Sequence, residues 1–150
     1  MAELKDLYQD TILDHYKNPR NRNKPQHSNR EADALNPLCG DKFRIYLQLE
    51  DGVLRDIGFD GAGCAISIAS ASMMTETLKG KTEDEARSIY DTFINLLASP
   101  AEAKSDIQLP AALAVFSSVR EYPVRVKCAT LAWKALLAAI ELNPLPVSTE

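Results

Sequence analysis

The 150-residue chain is 45% hydrophobic and 25% charged, the balance of a globular domain with a core of its own. Its 17 Lys and Arg face 21 Asp and Glu, a net charge of -4, without the basic excess of a nucleic-acid-binding surface. No apolar run is long enough to span a bilayer and the first residues are acidic rather than signal-like. The 3 cysteines are an odd number, unsuited to a disulfide framework, so a single domain over 1–150 in the cytoplasm is the expectation.

Leu4, Leu7, Tyr8, Thr11, Ile12 and His15 recur at helical spacing and predict a first helix. Asn18-Pro19 ends it, because the residue before a proline disfavours helical backbone. His15 reads as a capping or packing histidine near the helix C-terminus, the alternative being a ligand or proton donor. The next stretch, about 19–31, has no apolar period and reads as an exposed, flexible loop. Its cations Arg20, Arg22, Lys24 and Arg30 form either a solvated face or a docking patch for an acidic partner surface. A short strand around Ala32–Leu35 follows.

Phe43, Ile45, Leu47 and Leu49 alternate with polar residues, the pattern of a half-buried strand. Asp51-Gly52 is a hairpin signal, and the return strand carries Val53, Arg55, Ile57 and Phe59. Arg55 breaks that pattern, so a bulge or an edge position is expected there. A helix is predicted from about Cys64 to Lys79, closed by Gly80. Thr82-Glu83-Asp84-Glu85 is a capping box opening another helix that stops at Ser99-Pro100. A linker over 106–110 and a short helix over about 111–118 come next. A last helix runs from about Val124 to Leu142, apolar nearly all round, and the tail 143–150 is expected to fray. The elements amount to an α+β fold with a small antiparallel sheet.

The 3 cysteines stand in Asn36-Pro37-Leu38-Cys39-Gly40-Asp41, in Gly61-Ala62-Gly63-Cys64-Ala65-Ile66-Ser67 and in Arg125-Val126-Lys127-Cys128-Ala129. Thiolates are soft ligands, and sulfur with a carboxylate suits tetrahedral zinc. Cys39, Asp41, Cys64 and Cys128 together supply three sulfurs and one oxygen. Cys64 and Cys128 fall in the opening turns of predicted helices, where the positive end of the dipole favours anionic sulfur. The alternative is three buried cysteines packing as small hydrophobes.

These motifs resemble those of the U-type iron–sulfur scaffold superfamily (IscU/NifU N-terminal-like), and specifically its SufU branch. The likeness extends to Ile12-Leu13-Asp14-His15-Tyr16, Asn18-Pro19-Arg20-Asn21 and Ala69-Ser70-Ala71-Ser72-Met73-Met74, and so spans nearly the whole chain. IscU members place a histidine immediately before the third cysteine; here that residue is Lys127, with Arg125 beside it. The 64 positions from Cys64 to Cys128 also exceed the IscU spacing and resemble the SufU insertion. The resemblance implies a three-stranded antiparallel sheet packed against helices, with zinc on Cys39, Asp41, Cys64 and Cys128. It further implies sulfurtransferase-like activity that depends on a partner. Cys39 would accept persulfide sulfur from a PLP-dependent SufS-type cysteine desulfurase, with Suf cluster-assembly proteins as further candidate partners. Two other readings stand beside it: a scaffold that transiently assembles a [2Fe–2S] cluster, and a zinc-stabilised interaction module without sulfur transfer.

Overall fold

Alternation along 41–50 builds the centre of the sheet. In the computed structural model, which describes residues 2–37, 40–99, 113, 115–142 and 147–148, strand β2 (Asp41–Glu50) buries Asp41, Phe43, Ile45 and Leu47 on one face. Side chains are described from residue 10 onward. β3 (Val53–Ala62) returns antiparallel through Asp51 and Gly52, whose φ values of 52° and 74° are the left-handed pair a tight hairpin needs. The register shifts so that Gln48 faces Asp56 but Leu49 faces Leu54. Arg55 is thus the extra residue of a β-bulge. It lies in solvent while Leu54, Ile57 and Phe59 all reach the core, which resolves the break in the apolar pattern.

β1 (Arg30–Asn36) pairs antiparallel with the other side of β2. Arg30 and Glu31, expected within the loop, are its first residues. A fourth strand corrects the three-stranded expectation: β4 (Val147–Ser148) pairs parallel with Ala34 and Leu35, giving the order β3-β2-β1-β4. It also corrects the expectation that the whole tail frays. β1 would otherwise present a row of unpaired backbone groups, and these residues cover part of it. The opposite edge is covered as well. Phe59 N–H donates to the Asn21 carbonyl at 3.1 Å, and Leu54 N–H to that of Lys81 at 2.8 Å.

Helices cover the inner face. α1 (Ala2–Lys17) leads into the segment 18–29, which forms neither helix nor strand but buries Pro25 and bonds to its neighbours. α2 (Ala65–Leu78) is rich in Ala and Ser and buried on nearly all sides, which permits close helix approach. α3 (Glu83–Ala98) opens with the Thr82–Glu85 capping box and sends Phe93, Leu96 and Leu97 inward. A 3-10 helix (Val115–Glu121) stands where a short helix was expected over 111–118; residues 111, 112 and 114 and the linker over 106–110 fall outside the described residues. α4 (Pro123–Ile140) has Pro at its first position, where the missing N–H costs nothing.

Trp133 of α4 ties these layers together. Its ring stacks on Phe93 with centroids 4.5 Å apart, and its Nε1–H donates to Ser70 Oγ of α2 at 3.0 Å. The Ser70 hydroxyl in turn donates to the Ala129 carbonyl. The outcome is an α+β architecture that brings the start of β2, the start of α2 and the second turn of α4 to one end of the molecule. No described helix is long and apolar enough to cross a membrane.

Candidate metal centre

Register alone brings the first two elements of the site together. Asn36 is the last residue of β1 and faces Asp41, the first of β2. Residues 37–40 therefore form a short connection, and Gly40 takes a φ of 69° that suits glycine. Leu38 and Cys39, within that connection, lie outside the described residues. Asp41 continues the inward phase of Phe43 and is 2% exposed.

The second element depends on Gly63. A Cβ there would stand 2.6 Å from Asp41 Oδ1 and 2.5 Å from Ser67 Oγ, so only glycine lets the start of α2 approach the carboxylate this closely. Cys64 is the N-cap residue of α2, so the helix begins one position after the expected start, and its side chain makes no capping bond. Its backbone N–H donates to Asp41 Oδ1 at 2.9 Å. An otherwise unpaired helix N-terminal N–H thus meets an anion. The Ser67 hydroxyl, three residues on, lies 3.1 Å from the same oxygen and 3.0 Å from the Cys64 carbonyl. The Cys64 thiol is partly exposed and reaches Ser67 Oγ at 3.6 Å.

Cys128 comes from the second turn of α4 and is fully buried. Asn36, also fully buried, donates through Nδ2 to Asp41 Oδ2 at 3.0 Å and to Cys128 Sγ at 3.3 Å. One ligand atom each from Asp41, Cys64 and Cys128 fall within 4.8 Å of one another. Two sulfurs and a carboxylate, convergent and only partly open to solvent, fit a borderline-soft divalent ion such as zinc.

Three of the four residues singled out as ligands are therefore neighbours in space. Asn36 and Ser67 complete the arrangement and were not singled out from sequence. Their signals were modest: Asn36 mirrors Asp41 across the turn, and Ser67 sits one helical turn after Cys64. The cations of the 19–31 segment have separate partners. Arg20 pairs with Asp14 at 2.8 Å and Glu76 at 3.7 Å, and Arg22 donates to the Gly61 carbonyl. Lys24 lies 5.6 Å from the Tyr46 ring centroid, and Arg30 donates to the Ile140 carbonyl at the end of α4 at 2.9 Å. Arg125 and Lys127 are exposed on the first turns of α4. His15 takes no part in the site. It is buried in α1 with Nδ1 2.7 Å from Ser72 Oγ, consistent with its packing role.

The sequence matches the model of the NifU-like N-terminal domain over residues 7–142. The chain belongs to this family. Among NifU-like relatives it is 42% identical over 135 residues to the zinc-dependent sulfurtransferase SufU of Bacillus subtilis (strain 168), covering 90% of each chain. It is 37% identical over 142 residues to the iron–sulfur cluster assembly scaffold protein IscU of Streptococcus pyogenes serotype M1, covering 94% of this chain and 87% of that one. The fold matches the crystal structure of FiSufU from Fervidobacterium islandicum AW-1 with a TM-score of 0.77 at 30% identity, over 87% of this chain and 94% of that one. A NifU-like N-terminal protein from Brucella abortus gives a TM-score of 0.77 at 28% identity, over 91% and 93%.

Proposed function

We propose that this NifU-like protein is a zinc-dependent sulfur acceptor for iron–sulfur cluster assembly, charged by a PLP-dependent SufS-type cysteine desulfurase. The observation that carries the reading is the convergence of Asp41, Cys64 and Cys128 within 4.8 Å, with Cys39 two positions before Asp41 in the sequence. The similarity to the SufU of B. subtilis supports zinc as the ion and sulfur transfer as the activity. Lys127, where IscU members resemble one another in having histidine, supports the same branch.

Asp41, Cys64, Cys128 and Cys39 would hold the ion. Zinc, when bound, favours thiolate over thiol at the sulfurs that ligate it. The chain's own residues do the rest. Backbone N–H and hydroxyl groups fix the Asp41 carboxylate, and burial in α4 fixes Cys128. Cys39 is the acceptor. Its thiolate attacks the outer sulfur of the desulfurase persulfide; a new S–S bond forms on Cys39 as the S–S bond on the partner breaks. The partner's cysteine leaves as thiolate, and no external oxidant or reductant is consumed. Arg22 and Lys24, exposed on the segment beside β3, are cations available to an acidic partner surface.

A second reading, a scaffold for a transient [2Fe–2S] cluster, is favoured by the 37% identity to an IscU scaffold. Anoxic purification followed by metal analysis and visible spectroscopy separates the two. Zinc that stays bound, with no cluster absorption after incubation with iron and a sulfur source, is the expected result. Cluster formation with loss of zinc contradicts the sulfur-acceptor reading.

A further inference from the structure

We propose that Asn36 is a positioning residue of the metal centre, bridging the ligand from β2 to the ligand from α4. The inference rests on the functional reading above for the identity of the ion. Asn36 is fully buried, and a buried amide carries two N–H donors. Both have acceptors: Asp41 Oδ2 at 3.0 Å and Cys128 Sγ at 3.3 Å. The opposite amide orientation would aim a carbonyl oxygen at a carboxylate and a sulfur, so the pair of acceptors fixes which atom is nitrogen.

The other oxygen of Asp41 is served separately. Oδ1 receives the Cys64 N–H at 2.9 Å and lies 3.1 Å from the Ser67 hydroxyl. Asn36 therefore has a role that neither of these donors shares. It alone among the described contacts joins Asp41 to Cys128, two ligands from elements that sequence separates by 87 positions. A donor held between Asp41 Oδ2 and Cys128 Sγ fixes these two ligand atoms relative to each other. Outer-shell partners of this kind orient ligands, and their loss costs roughly 10- to 100-fold in metal affinity. Ser67 is a lesser contributor, because the Cys64 N–H remains on Oδ1 when the hydroxyl is removed.

The test uses the full chain loaded with zinc, and separately with cobalt as a spectroscopic probe. Asn36→Leu keeps approximate side-chain volume and removes both donors. Zinc affinity is measured by chelator competition, and the sulfur-to-cobalt charge-transfer band reports the thiolate contacts. The expected result is a loss of about 10- to 100-fold in zinc affinity with a shifted cobalt band and wild-type far-UV circular dichroism. In an Asp41→Ala background the same substitution should cost clearly less, because one of the two bridged ligands is already gone. Ser67→Ala should lose less than Asn36→Leu. Should Asn36→Leu fail to fold, Asn36→Ser, which retains one donor, is read in its place against the same background.

Wild-type zinc affinity and an unshifted band overturn the proposal. So does an equal loss in the wild-type and Asp41→Ala backgrounds, which marks a general packing defect. Failure of the functional reading is distinct: absence of sulfur on Cys39 after turnover leaves the Asn36 result standing. A wild-type chain that binds neither zinc nor cobalt overturns both.

Discussion

Gly63 shows how a single missing side chain admits a functional contact. A methyl group there would meet Asp41 Oδ1 at 2.6 Å, Ser67 Oγ at 2.5 Å and the Phe43 ring at 3.0 Å. All three neighbours belong to or border the metal centre, so the substitution must move them. Gly63→Ala is expected to destabilise the fold by about 1–3 kcal/mol, the usual cost of overpacking, and to weaken zinc binding as well. Gly52→Ala, in the hairpin turn at a φ of 74°, has open space around it and should cost stability alone. Urea unfolding of the zinc-free chains, with chelator competition on the loaded ones, checks the pair. Zinc affinity unchanged in Gly63→Ala contradicts the account of the close approach. Of the site residues, Cys64 and Cys128 were legible in the sequence because thiols are scarce and their chemistry narrow, and Asp41 because it stands two positions after a cysteine across a glycine. Asn36 and Ser67 were not, because hydrogen-bonding side chains near turns and helix starts are common. Their role appears only when segments distant in sequence are brought together.

At the scale of elements, α1 is held to α2 by a polar contact inside an apolar seam. Ser72 Oγ accepts the Arg20 N–H at 2.9 Å and lies 2.7 Å from His15 Nδ1. Burial, and then the positive charge of Arg20, hold the His15 imidazole below its ordinary value of 6.5, with Glu76 and Asp14 pulling more weakly the other way. The folded state therefore prefers the neutral ring. Below about 6.5 the unfolded chain takes up a proton that the folded chain resists, so this contribution is present above the unfolded pKa. It is lost as pH falls toward the lowered folded value. His15→Gln retains a hydrogen-bonding side chain without the titration. Wild-type stability to urea is expected to fall more steeply than that of His15→Gln between pH ~7 and ~5; parallel profiles contradict the assignment. Elements whose signals are local were readable in advance: the Asp51-Gly52 hairpin, the irregularity at Arg55 and the Thr82–Glu85 capping box each follow from a few adjacent residues. β4 was not readable. Two residues carry no periodicity, and their pairing depends on the exposed edge of β1 rather than on their own sequence.

For the whole molecule, the metal centre is where the layers meet. Asp41 comes from the central strand, Cys64 from the start of α2 and Cys128 from α4, and the Trp133–Ser70 and Ser70–Ala129 bonds fix the two helices against each other. An ion bound there would join segments that the chain separates widely, so zinc binding and folding should be coupled. The proposal assigns sulfur acceptance to Cys39, two positions before Asp41 in the sequence, from the resemblance of its motif to that of SufU-type proteins. The most direct test is mass spectrometry of each cysteine after the zinc-loaded protein is incubated with a SufS-type desulfurase and cysteine, with Cys39→Ser run in parallel. The account expects one added sulfur atom on Cys39 in the wild type and none on any cysteine of the variant. Sulfur added to Cys64 or Cys128 with Cys39 unmodified, or undiminished sulfur acceptance by Cys39→Ser, contradicts it.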